Sequence, residues 1–250
     1  MITTSLETAT ESRKPKARSD SGNVLFLILI AVALFAALSY AVTQSTRSGG
    51  GDASSETNLV NSSQITQYPA SLKTSITRMI ISNSITPYEL SFDDPSLFST
   101  NLTTVALQSA NVFYPTGGGA VYALAPDSVV TASPQAWVFN SNNQIEDIGQ
   151  TDGTGPTDVT ADTIAFLPNT KKAICEKIHS QLGLATTFTN AEVSIDYANN
   201  QDSTYGAADD RIAIDAGGTI GATATELVGQ PQGCFRVGTA YIYYAVLVER

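Results

Sequence analysis

From residue 24 to residue 38 every side chain is apolar, and no charged residue occurs between Asp20 and Arg47. The run 24–42 (VLFLILIAVALFAALSYAV) leaves aliphatic or phenylalanine character only at Ser39 and Tyr40. A helix that crosses a bilayer needs about 20 mainly apolar residues at a rise of about 1.5 Å each, so the pattern predicts a transmembrane helix over 23–46. A buried core helix fits poorly, because the run has no polar face at any period and both flanks are polar. Further along, Ile65, Tyr68, Leu72, Ile76, Met79 and Ile80 recur at spacings of three, four or one. That is the stripe of an amphipathic helix lying on a sheet. Ser62 or Ser63 is placed to cap its start. Pro69, inside the pattern, calls either for a kink or for a helix that begins there with proline as its first residue. Lys73 and Arg78 fall away from the stripe and read as solvated.

After Pro87 the period shifts toward two, with candidate strands at 89–92, 120–125, 136–140, 163–167, 192–197, 211–214 and 239–249. Glycine, proline and Asx clusters separate them. A helix is predicted at 171–182, where Thr170 can cap, Ile174, Ile178 and Leu182 form a stripe, and Gly183 stops the run. The last strand can bury one face or both, and its place at the end of the chain suggests that it closes the sheet. Strands with one helix before them and another late in the order predict an α+β head, mainly antiparallel, over 62–250. Between the apolar run and this head, 47–61 contains Gly49, Gly50 and Gly51 among many Ser and Thr residues, the composition of a flexible linker or a surface loop.

The charge pattern adds a direction. Arg13, Lys14, Lys16 and Arg18 precede the apolar run, whereas the single Arg47 is the first basic residue after it, so the leader 1–22 is predicted to stay cytoplasmic. Setting aside 1–20, with four basic and three acidic residues, from the 13 and 23 of the whole chain leaves nine and twenty, a net −11 beyond the membrane. An acidic surface excludes nucleic acid as a partner class, because that affinity comes largely from basic side chains displacing counterions. Three fates of the apolar run stay open. It is a cleaved secretory signal with Ser39-Tyr40-Ala41 as the small-residue site, an uncut anchor, or a more specific processing signal.

A basic leader ending in Gly22, followed at once by a long apolar helix and a polar head, resembles the prepilin-type N-terminus of type IV pilins and pseudopilins. The resemblance covers roughly residues 13–46. It implies a prepilin-type peptidase cutting between Gly22 and Asn23, and a retained helix that first anchors the subunit in the membrane and later packs in a filament core with other pilin-like subunits. Asn23 stands where the family usually has an aromatic residue or Met, and Leu27 where it usually has Glu.

Candidate chemistry is sparse. The two cysteines, Cys175 and Cys234, lie on the predicted extracytoplasmic side, where an even pair reads as one disulfide, with two buried free thiols as the alternative. Bridging them closes a loop of about 60 residues, worth about 4 kcal/mol in the chain-entropy model. His179 is the only histidine and sits on a predicted solvated helix face, so a multi-histidine metal site is excluded. No Gly-x-Ser-x-Gly elbow, Ser-x-x-Lys or Walker loop occurs, and Gly117-Gly118-Gly119 reads as a hairpin turn. No catalytic residue is expected. The segment 196–215 (DYANNQDSTYGAADDRIAID) offers Asp196, Asp202, Asp209 and Asp210 among further Asx residues. Oxygen ligands at that density suit calcium, although Asx-rich runs also form turns by bonding their own backbone. The resemblance to pseudopilins, some of which carry a late calcium loop, implies calcium as one occupant of this segment, with a solvated Asx-rich loop as the alternative. A second Asx/Gly run, 140–158, is a weaker candidate. The expectation is an inner-membrane protein with an extracytoplasmic head, acting as a structural subunit of an extracellular filament or secretion pseudopilus. The competing class is a tethered or secreted ligand-binding head that does not polymerise.

Overall fold

A computed structural model describes residues 21–132, 135–150, 160–188, 190, 194–201 and 217–250. The chain forms two compact units, 1–53 and 54–250. Helix α1 (Ser21–Asn83) begins in the first unit, where the side chains of 24–43 are exposed all round.

The second unit is α+β. Within it, α1 buries Ile65, Leu72, Ile76 and Met79, with Tyr68 and Ile80 half-buried, which is the stripe that the spacing predicts. Pro69 lies inside the helix rather than at its start. Ser62 and Ser63 are not caps, because helix precedes them. Their hydroxyls donate back to the Leu59 carbonyl, at 2.8 and 2.9 Å. The composition of 47–61 suggests coil, yet the whole segment lies within helix α1. Tertiary contacts hold its end there: Asn61 Oδ1 accepts from Ser128, and the Ser62 hydroxyl lies 3.2 Å from the Gln181 side-chain amide. Lys73 and Arg78 also have partners, the Glu249 carboxylate at 3.4 Å and the Gly118 carbonyl.

Among the described residues, five strands, β1 (Val138–Ile145), β2 (Asp162–Leu167), β3 (Thr219–Ile220), β4 (Gln232–Val237) and β5 (Ala240–Val248), form one sheet in the order β3-β1-β2-β5-β4. Three ladders are antiparallel and the short β1–β3 pair is parallel. Alternation along β5 sends Tyr243, Ala245 and Leu247 to one core, shared with α1, and Ile242, Tyr244 and Val246 to a second. The last strand therefore buries both faces, and it lies between β2 and β4 instead of closing the sheet. The edge belongs to β4, which the pattern of Gln232-Gly233-Cys234-Phe235-Arg236-Val237 does not announce.

Other predicted strands differ. Among the described residues, 120–125 joins no strand, and only Ala125 forms a bridge, to Gln135. At 89–92 a 3-10 turn (Pro87–Glu89) takes the place of a strand start, set by Pro87 and by the Glu89 carboxylate, which accepts the Thr86 amide at 2.7 Å. Described residues 194–197 are not strand, and 192–193 and 211–214 lie outside the described residues. Helix α4 (Lys172–Leu182) follows prediction, ending at Gly183 with φ +72°. Its N-cap is Lys171. Thr170 turns its hydroxyl to the Leu167 carbonyl instead. Two short helices, α2 (Phe98–Asn101) and α3 (Val105–Ala110), and two 3-10 turns, Pro95–Leu97 and Thr225–Leu227, complete the described elements.

The turn at Gly117-Gly118-Gly119 is forced by close approach. A Cβ at Gly118 would stand 2.2 Å from the Val112 carbonyl oxygen and 2.8 Å from Met79 Sδ. Only glycine lets the backbone reach that depth.

Candidate functional site

In the first unit, Val24–Thr43 is a stretch of 20 residues with mean hydropathy 2.7 and no part of it buried. By length and composition it can cross a membrane. A core helix of the same composition would be covered by its own chain, and this one is not. Gly22 and Asn23, the predicted processing residues, fall in the first turn of α1.

In the second unit the chemistry-bearing residues gather where α4 meets β4. Cys175 and Cys234 are joined by a disulfide, with Cα atoms 5.7 Å apart and both residues buried. His179 follows Cys175 by one helical turn and is fully buried, not solvated as its position suggests. The helix face that carries Ile174, Cys175 and Ile178 inward also takes His179, because residues four apart share a face. The Cys234 amide donates to His179 Nε2 at 2.9 Å, so that nitrogen is the acceptor. The proton therefore sits on Nδ1, which donates to the Ala185 carbonyl at 2.7 Å. Phe188 packs on the ring with centroids 4.6 Å apart. With both nitrogens committed, the imidazole has no free lone pair for a substrate or metal.

Asp196 is also committed. Its carboxylate accepts from the Asn142 amide at 2.7 Å, from Asn199 Nδ2, and from the backbone amides of Ala198 and Asn199. It organises an Asx turn beneath β1, as the Asx-rich composition allows. Asp202, Asp209 and Asp210 lie outside the described residues. Among the described residues no group of three or more His, Cys, Asp or Glu is placed to hold a metal ion. From the second Asx run, Asn140, Asn142 and Asn143 are strand residues, buried and bonded to the 196–199 turn or to one another.

An open groove of about 400 Å³ runs between α1 and residues 123–126, with Tyr68 and Trp137 among its walls. The Tyr68 hydroxyl donates to the Val121 carbonyl and accepts the Ala123 amide, both at 3.2 Å. Burial pushes its pKa up to about 12, so it remains a protonated phenol at neutral pH.

The features that sequence reasoning missed, the His179 link and the polar interior of β1, had no signal of their own. A lone histidine on a helix and a run of asparagines both read as surface until a partner strand is known. No protein-family model matches the chain, and neither a curated protein nor a solved structure matches it.

Proposed function

We propose that the chain is a pilin-like structural subunit, held in the inner membrane by Val24–Thr43 and assembled through that helix into an extracellular filament or secretion pseudopilus. The observation that carries this reading is the division of labour along α1. Its apolar section is exposed on every side. Its later section presents one stripe to an α+β core. Exposed apolar surface of that extent demands lipid or other helices around it. The basic leader before it and the disulfide in the second unit fit an orientation with the leader in the cytoplasm and the head in an oxidising compartment.

The competing reading is a tethered head that binds a ligand without polymerising, favoured by the Tyr68–Trp137 groove. Shearing the surface of cells that produce the chain, followed by high-speed centrifugation, separates the two. A filament subunit enters the sheared, pelletable fraction. A tethered head stays with the membranes, and that result would reject assembly.

A further inference from the structure

Every other residue of an edge strand turns its amide away from the sheet, and β4 is such an edge. The outward amide of Cys234 is taken by a side chain, the His179 imidazole, at 2.9 Å. That imidazole is itself fixed from behind. The left-handed turn at Gly183 brings the chain back so that Leu184 bonds the His179 carbonyl at 2.8 Å and the Ala185 carbonyl accepts Nδ1–H at 2.7 Å. His179 and Cys175 lie one turn apart on the same buried face of α4. The ring therefore spans from the helix that carries one cysteine to the backbone of the other.

We propose that His179 is the positioning residue for the Cys175–Cys234 disulfide, holding β4 in register against α4 so that the two thiols meet before they are oxidised. The step is thiol–disulfide exchange with a small-molecule disulfide such as oxidised glutathione. One cysteine thiolate attacks it and releases a glutathione thiolate. The second thiolate attacks the mixed disulfide, forms the protein S–S bond and releases the second glutathione. Two protein thiols are oxidised, one small disulfide is reduced to two thiols, and the two protons given up by the cysteines are taken up by the departing glutathione thiolates. His179 exchanges no proton or electron in this step. It sets geometry. The inference holds whether or not the chain polymerises.

The test uses the full chain in detergent, equilibrated in glutathione redox buffers, with the effective concentration of the cysteine pair as readout. His179→Phe fills the space but leaves the buried Cys234 amide without an acceptor. It is expected to lower the effective concentration by about tenfold or more, whereas His179→Gln, which restores an acceptor oxygen, stays within about threefold of the parent chain. An unchanged value in His179→Phe overturns the proposal, as does an equal fall in both variants. If either variant fails to fold, nitrogen–nitrogen coupling across the Cys234–His179 hydrogen bond decides the matter by NMR in the parent chain with its cysteines reduced. Coupling that persists without the disulfide supports positioning, and its loss overturns it.

Discussion

The backbone amide of Arg250 donates to Oδ1 of Asp162 at 3.0 Å, tying the residues that follow β5 to the start of β2. The other carboxylate oxygen accepts the Ile145 amide at 3.0 Å, so one side chain joins the ends of three neighbouring strands. Asp162 is fully buried. Burial raises its pKa to about 6 against the restraining effect of the two amides and the Arg250 guanidinium, with Glu249 adding a smaller upward push. A carboxyl that protonates more readily when folded stabilises the fold in acid. That contribution is complete below the ordinary value near 3.8 and is lost as pH rises through about 6. The span corresponds to about 3 kcal/mol. Urea unfolding of the parent chain and of Asp162→Asn, at pH 4.5 and pH 7.5, isolates this group. The parent should gain stability in acid relative to the variant, and equal pH profiles would contradict the assignment.

Removing the disulfide by the double substitution Cys175→Ser, Cys234→Ser should cost about 4 kcal/mol, since the bond closes a long loop in the unfolded chain. Both residues are 1% exposed or less, so a reductant cannot reach the bond until the α4–β4 contact opens. The intact chain should resist reduction by dithiothreitol under native conditions and lose the bond at once in denaturant. Thiol counting with and without urea checks both statements.

Gly118 and Gly183 make a contrast in how glycine is used. At Gly118 a methyl group would collide with the Val112 carbonyl, and the expected cost of Gly118→Ala is about 1–3 kcal/mol from forced backbone movement. At Gly183 an added Cβ would meet none of the described residues beyond its chain neighbours within 4 Å, so Gly183→Ala meets only the penalty of a left-handed φ, about 1 kcal/mol. Paired denaturation curves should rank Gly118→Ala as the more damaging. The reverse order would mean that the turn relaxes freely.

These sites also mark how far the sequence could be read. The stripe from Ile65 to Ile80, the helix stopped by Gly183 and the alternation of β5 were legible because each is a local period with a local stop signal. Strand β4 was not, since Gly233 and Arg236 break its apolar pattern and its place is fixed by pairing with β5, far from any local rule. Strand β1 was legible only at its start, because Asn140, Ser141, Asn142, Asn143 and Gln144 are buried polar residues whose partners come from elsewhere in the chain. His179 belongs with them. Its burial depends on β4 lying against α4, which no spacing in the helix reveals. Conversely, 120–125 has strand periodicity, but Ala123 gives its amide to Tyr68 and no strand among the described residues takes up the rest of the segment.

The most direct test of the filament-subunit reading is the intact mass and N-terminal residue of the mature chain extracted from membranes. Processing of the prepilin type predicts a chain that begins at Asn23 with the whole apolar stretch Val24–Thr43 retained. A chain that begins at Val42, having lost that stretch, or one that still begins at Met1, would contradict it.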